Sequence, residues 1–288
     1  MRRNESWSFY IEESRFEQEV MPKCLKSLIL SRCYKYLLSF KRPISLVTMN
    51  LLIIMALASF FTATLSGLIG MAGGVTLLAL MTFVLEVQII VPIHGCVQLI
   101  SNASRSIFLR KAIVWDIFTP FFLLAPLGSL VAYYFLKNIS SKELFLIPIT
   151  VVIFYVLFKP KRIPEIKLGV FGFAVLGFFA GMLSPLIGAT GPLLAPFFFR
   201  EDLSKESIIA TKAISQTWTH LLKIPVFLGL AFPYEKYALI IILMSMMAVL
   251  GTRFGTLLLG RISEDLFRLL YKVALAFAAL RLLYKIFL

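Results

Sequence analysis

The chain has 288 residues, of which 59% are hydrophobic and only 15% are charged, and its mean hydropathy is +0.89. So much apolar surface cannot be buried inside one soluble domain of this length, so the composition excludes a soluble protein and predicts contact with a lipid bilayer. The net charge of +14 does not indicate nucleic-acid binding, because the basic residues are dispersed between apolar segments.

The N-terminal tail, residues 1–43, differs in composition from the rest of the chain. Its segment Pro22–Arg42 mixes Leu and Ile with Lys and Arg, as an amphipathic helix on a membrane surface does, and a disordered basic extension is the alternative. No secretory signal is evident, and Met49 is a second candidate start. We assign the remainder to membrane repeat 1, residues 44–165, and membrane repeat 2, residues 166–288.

Long apolar runs follow the tail, and several approach the roughly 20 residues that a spanning helix needs. They are Ile44–Ile69, Ile117–Leu136, Leu144–Phe158, Leu168–Leu183, Tyr237–Leu259 and Leu266–Leu288. Polar residues interrupt the apolar signal between them. The pattern predicts an all-α polytopic membrane protein with about 8 to 10 transmembrane helices, some of half length. We expect a multi-pass protein of a cell membrane, with a bacterial inner membrane as the expected location.

An internal repeat organises the membrane part. The stretch Ser66–Arg105 recurs without a gap 118 residues later as Ser184–Lys223, and a further match relates Ala125–Ser129 to Ala248–Thr252 at an offset of 123. An odd number of crossings in each copy would give the copies opposite orientations. The sequence therefore predicts two inverted repeats of five segments, with a substrate site between them.

Each copy contains a glycine cluster inside hydrophobic sequence, which is typical of a broken helix. A half-helix that starts at such a break directs unpaired N–H groups and its positive dipole end toward an anion. Close helix packing is the alternative interpretation of these small residues. The candidate substrate-binding residues at the two breaks are Ser66, Gly70, Gly73 and Gly74 in the first copy and Ser184, Gly188, Thr190 and Gly191 in the second.

A polar stripe with helical spacing follows each break, at positions i, i+4, i+7, i+8 and i+11. The two stripes are His94, Gln98, Ser101, Asn102 and Arg105 in the first copy and Lys212, Gln216, Thr219, His220 and Lys223 in the second. A charged group costs about 3 kcal/mol at the centre of a membrane helix, so the stripes face protein or water. They contain cations and no acid, which predicts an anionic substrate bound by all members except His94 and Lys212. His94 and His220 are candidates for proton coupling.

Alternatives remain for the basic residues of these helices. Arg105 and Lys223 could lie near helix ends and extend their charges to the lipid headgroups. Arg253 is a further cationic candidate, and its alternative role is a pair with a loop carboxylate. No metal or cofactor is expected, because three scattered cysteines and two histidines form no ligand spacing.

The glycine motifs resemble those of a known family. The segments Leu65–Val75, Leu183–Leu193 and Arg110–Asp116 are similar to the TauE/SafE family of sulfite-exporter-like permeases, and the resemblance extends from Met49 to the C-terminus. The typical run of three glycines is altered here, since its first place is Ala72. The resemblance implies a permease for sulfite, sulfonates or other small organic anions.

The function expected from these observations is secondary transport of small anions, and not enzymatic catalysis. An inside-negative potential favours exit of a monovalent anion by about 2.3 kcal/mol per 100 mV, which favours export. An anion-selective channel is the alternative. An intramembrane serine hydrolase built from Ser66 or Ser184 with a histidine is a weaker one. The expected partners are a small anionic substrate and the lipid bilayer, and the oligomeric state stays open.

Overall fold

A computed structural model describes residues 46–69, 73–138, 167–198, 200 and 202–258 of the chain. The chain divides into two compact units, Met1–Met49 and Asn50–Leu288, and the described residues from Asn50 onward belong to the second. Every regular element in the described ranges is helical, which confirms the all-α prediction. The N-terminal tail and the apolar runs Leu144–Phe158 and Leu266–Leu288 lie outside the described residues.

Eight α-helices occupy the described ranges, four in each half of the chain. They are α1 Leu46–Ile69, α2 Gly73–Met81, α3 Val87–Phe108, α4 Trp115–Asn138, α5 Val170–Ile187, α6 Gly191–Phe198, α7 Lys205–Gly229 and α8 Ala238–Leu257. Short 3₁₀ turns at Arg110–Ala112 and Tyr234–Tyr237 precede α4 and α8. The end of α1, the start of α2 and the start of α3 each have a counterpart 118 residues later, in α5, α6 and α7.

Four segments are long and apolar enough to cross a bilayer. They are Met49–Leu68, Trp115–Asn138, Val170–Ile187 and Tyr234–Leu257. These segments contain α1, α4, α5 and α8 apart from a few residues at helix ends, and each corresponds to one of the apolar runs in the sequence. The helices α3 and α7 are also 22 and 25 residues long, but they carry the polar stripes. The described helices therefore comprise four apolar helices long enough to span a bilayer, two helices that carry polar stripes, and two short helices.

The breaks between α1 and α2 and between α5 and α6 follow from local sequence. Gly188 ends α5 with a φ of +80°, a conformation that costs most residues about 1–2 kcal/mol. Pro192 is the second residue of α6, where its fixed φ suits a helix start and its missing N–H is not needed. The start of α7 is capped by Ser204, whose hydroxyl oxygen accepts a hydrogen bond of 3.1 Å from the Ser207 N–H.

Glycines let helices from different halves of the chain touch backbone to backbone. A Cβ added to Gly128 of α4 would lie 1.9 Å from the Phe178 carbonyl oxygen of α5. A Cβ added to Gly251 of α8 would lie 2.2 Å from the Phe60 carbonyl oxygen of α1. These two contacts correspond at the sequence offsets of 118 and 123. The fourth described helix of each half thus packs against the first described helix of the other half.

The buried apolar residues also join helices from different halves of the chain. One hydrophobic cluster joins α1, α2 and α3 with α8, through residues such as Met55, Leu78 and Met244. The other joins α5 and α6 with α4, through Phe121 and Phe173. The first cluster also includes Ile187 of α5 and Phe227 of α7. Each cluster therefore includes the fourth described helix of the other half.

We predict that Gly128→Ala destabilises the protein by about 1–3 kcal/mol, because the added methyl group meets a backbone carbonyl that only a helix shift can move. Thermal unfolding of the purified protein in detergent would measure the loss. Gly169→Ala is the matched control, since nothing lies within 4 Å of a Cβ at that position. Equal unfolding temperatures for the two variants would contradict the close α4–α5 packing.

Candidate functional site

A polar cavity lies where the two helix breaks meet the polar helices α3 and α7. In this conformation the cavity is narrow, with room for little more than a water molecule, and it is partly open to solvent. Its lining comes from the end of α1, the starts of α2 and α6, the turn before α6, and one face each of α3 and α7. The lining residues are Ser66, Gly74, Val75, His94, Gln98, Asn102, Arg105, Ala189, Gly191, Pro192, Gln216 and His220. Nine of these belong to the set predicted from the sequence.

The stripe on α3 contributes four of its five members to the lining, from His94 to Arg105. These residues extend over three helical turns, about 16 Å along the axis. Asn102 Nδ2 donates to the Gln98 backbone carbonyl oxygen over 2.8 Å and lies 3.4 Å from Gln98 Oε1. The fifth member, Ser101, faces away from the cavity and bonds the Thr252 hydroxyl of α8 over 3.1 Å.

Arg105 is the charged residue of the lining. Its side chain is 2% exposed, so the guanidinium does not extend to the headgroup region. Its Nη1 donates to Asn102 Oδ1 over 3.0 Å, and its Nη2 lies 3.5 Å from the Ser101 hydroxyl. Its Nε has no hydrogen-bond partner among the described residues, and no described acid forms an ion pair with it. A buried cation of this kind attracts an anion.

The stripe on α7 behaves differently, although it matches the first stripe in sequence. Only Gln216 and His220 line the cavity. Lys223, the counterpart of Arg105, is 0% exposed, and its Nζ donates to the Gly188 carbonyl oxygen. Thr219 donates to the Gln216 carbonyl oxygen within its own helix over 3.0 Å. The two predicted stripes therefore have the same helical spacing, but their matching side chains make different contacts.

The histidines meet in the middle of the site. The ring centroids of His94 and His220 are 5.9 Å apart, with the rings edge to face. His94 Nε2 lies 2.8 Å from the Gly74 carbonyl oxygen, and since a carbonyl only accepts, this nitrogen carries the proton. The Nδ1 atoms of both rings are buried without a hydrogen-bond partner among the described residues.

Each cavity glutamine lies against a glycine of the break in its own half. A Cβ on Gly74 would be 3.4 Å from the Gln98 side chain, and one on Gly191 would be 2.9 Å from the Gln216 side chain. Glycine thus leaves room for the glutamine amides beside the starts of α2 and α6. At the start of α6, Pro192 has no N–H, and the Leu193 and Leu194 N–H groups donate to the Thr190 carbonyl oxygen.

Other predicted site residues lie beside the cavity but not in its lining. Gly73 is in close contact with the Thr62 carbonyl oxygen and the Ser66 hydroxyl. Ser184 and Thr190 are buried, and their hydroxyls have no hydrogen-bond partner among the described residues. Gly188 lies against Leu78. Gly70 falls outside the described residues.

Arg253 lies apart from the predicted site. Its guanidinium carbon is 5.3 Å from the centroid of the Phe108 ring, and the residue is exposed. It does not line the cavity. In the α6–α7 loop, Asp202 pairs with Arg200 over 2.6 Å, and the hydrogen bond from that guanidinium holds the Asp202 pKa below its ordinary value.

Sequence reasoning missed three residues of the lining and one supporting residue. Val75, Ala189 and Pro192 line the cavity, and each lies next to a predicted glycine or one residue from it, so proximity to the breaks was an available signal. Thr252 supports the stripe by bonding Ser101. Its only sequence signal was the match of Ala248–Thr252 to the first copy.

The described residues contain neither a cluster of metal-binding side chains nor a hydrogen-bonded serine–histidine pair. No three His, Cys, Asp or Glu side chains in the ranges that the structure covers come close enough to hold a metal ion. His94 bonds a carbonyl and not a serine. The arrangement can bind an anion through a cation, amides and backbone N–H groups.

An all-helical chain with four span-length apolar helices and a polar cavity among them is a polytopic membrane protein. The family model described as sulfite exporter TauE/SafE matches residues 55–282, and the chain belongs to this family. The match confirms the resemblance found in the sequence, and it makes the chain a member of a transporter family of exporter-type anion permeases and not of an enzyme family. No curated protein and no solved structure matches the chain.

We predict opposite stability changes at two positions with positive φ. Gly188→Ala should destabilise the protein by about 1–2 kcal/mol, because φ is +80° and the new Cβ would lie 2.9 Å from a Leu78 methyl group. Ala231, after α7, has a φ of +57°, so Ala231→Gly should stabilise by up to about 1 kcal/mol. Thermal unfolding of both variants measures the two stability changes. Changes of the same sign would contradict these backbone conformations.

Proposed function

We propose that this protein is a secondary transporter that exports small oxyanions such as sulfite or sulfonates by alternating access. The observation that carries the proposal is the cavity itself. A buried guanidinium that no described acid neutralises shares it with two glutamine amides and two helix N-termini. These are the donors that oxyanions accept from, and a water-filled or ligand-filled cavity is the place where a membrane protein keeps such a charge.

The predicted inverted repeats fit the helix order. The end of α1 and the starts of α2 and α3 recur 118 residues later in α5, α6 and α7. The glycine contacts of α4 with α5 and of α8 with α1 correspond at the offsets of the two sequence matches. From the contacts of the fourth described helices we assign α1 to α3 with α8 to one group and α5 to α7 with α4 to the other, and Phe227 of α7 packs between the two groups. Movement of one group against the other around the cavity is the proposed transport motion.

The binding roles follow from the donors available. Gln98 and Gln216 would donate amide hydrogen bonds to substrate oxygens, and the start of α2 together with the Gly191 N–H would add backbone donors. Arg105 would supply the charge. His94 and His220 remain candidates for carrying a proton with the substrate.

Export is the proposed direction, since the membrane potential alone drives a monovalent anion outward. We also propose that the whole chain has about 8 to 10 transmembrane spans, because its sequence contains further apolar runs of spanning length. We place it in a bacterial inner membrane. None of the described stripe residues is a carboxylate that would couple uptake to a cation.

Reconstitution tests the function directly. Proteoliposomes loaded with sulfite, sulfoacetate, thiosulfate or short carboxylates should release at least one of these anions when a voltage is imposed, with saturable rates and counter-transport. Taurine, a zwitterion without net charge, should not respond to the voltage. Strict dependence on a pH or sodium gradient would contradict voltage-driven export. Resolvable single-channel currents in a planar bilayer would support the channel alternative instead.

We predict that Arg105→Gln weakens binding of the transported anion by about tenfold to a hundredfold, since a hydrogen bond to a charged group contributes about 1.5–3 kcal/mol. Ligand-induced thermal shift and initial transport rates measure the effect. Arg253→Gln is the matched control, because it removes the same charge from an exposed position outside the lining. Similar losses in both variants would argue against a specific role for Arg105.

A further inference from the structure

The two cations that the repeat makes equivalent have different surroundings. Arg105 lines the cavity with an unpartnered Nε, whereas Lys223 is fully buried with its ammonium on the Gly188 carbonyl oxygen. Gly95 lies against the aliphatic part of the Lys223 side chain, 3.1 Å from Lys223 Cδ to a Cβ built on Gly95. Packing on one side and a carbonyl at its end hold Lys223 at the break after α5.

The cavity is correspondingly displaced toward one end of α3. It follows α3 from His94 to Arg105 but follows α7 only from Gln216 to His220. Lys212 is also buried and is not part of the lining. Among the described lining residues, the groups that can carry charge are therefore the Arg105 guanidinium and the two imidazoles. No acid is present among them, and the lining from α1, α2 and α6 is neutral.

We propose that the site takes a monoanion, with its single oxyanion group against Arg105 and Asn102, and that Lys223 is a structural residue and not a ligand. This inference rests on the proposed function and narrows its substrate class. The nearest second cation, Lys223, lies behind the lining with its ammonium on the Gly188 carbonyl oxygen. A second full negative charge in the cavity would therefore lose its hydration without forming a direct ion pair. The N-termini of α2 and α6 hydrogen bond to substrate oxygens of either charge, and each supplies only about half a charge.

Methanesulfonate and sulfate separate one charge from two at nearly equal size. We expect isothermal titration calorimetry of the purified full chain, run at about pH 8 to keep histidine neutral, to show methanesulfonate binding at least about tenfold tighter than sulfate. Sulfate binding as tight as methanesulfonate, or tighter, would overturn the inference while leaving an anion site in place. If neither these anions nor any member of the transport panel bound, the proposed function itself would fall.

A gain of charge provides the complementary test. Gln216→Lys places a second cation in the cavity wall, on the helix α7 that faces the Arg105 helix, so the preference should shift toward sulfate by about tenfold or more. Gln216→Met is the matched control of similar length without charge, and it should keep the preference for methanesulfonate. If a folded Gln216→Lys protein kept the wild-type ratio of methanesulfonate to sulfate affinity, the number of cations in the cavity would not determine which anion binds. The wild-type comparison stands by itself if that variant does not fold.

Discussion

The breaks in the membrane helices require that the freed backbone groups find partners inside the protein, because lipid offers none. The structure satisfies part of this requirement with a side chain of a polar stripe, because Lys223 bonds the Gly188 carbonyl oxygen just beyond the end of α5. His94 of the other stripe bonds the Gly74 carbonyl oxygen in the first turn of α2. The stripes and the breaks therefore depend on each other. Without the stripe residues these carbonyls would lose their side-chain partners, and without the breaks the polar helices α3 and α7 would lose these acceptors.

Backbone contact between helices provides the frame for this arrangement. The α4–α5 and α1–α8 pairs touch at glycines, and each pair combines helices from different halves of the chain. Small residues allow such close approach where no hydrophobic effect drives helices together. Because the fourth helices are exchanged, neither half of the chain encloses a hydrophobic cluster alone. The frame leaves α3 and α7 inside it, with their polar faces toward the cavity and toward α8 and the breaks.

The two copies of the sequence repeat contribute matching glutamines to the site, but their matching cations have different contacts. Gln98 and Gln216 occupy matching places beside glycines of the two breaks. Arg105 and Lys223 also match in sequence, but one reaches the cavity and the other is held by a carbonyl. A planar guanidinium with five donors can hold a neighbouring side chain and still offer donors to a ligand, whereas an ammonium is a compact charge that one carbonyl can hold in place. This difference places a charged side chain at one end of the cavity lining.

The sequence by itself determined the lipid environment, the helical class, the positions of the breaks and the family, because apolar length, glycine clusters and a repeated register are properties of the chain alone. It also placed nine of the twelve lining residues in the candidate set. Helical spacing shows which side chains share a face but not which neighbour covers that face. Only the tertiary structure decided that Ser101 bonds Thr252, that His94 and His220 meet, and that Lys223 is withdrawn from the cavity. Those outcomes depend on the distances between helices that lie far apart in sequence, and packing sets those distances.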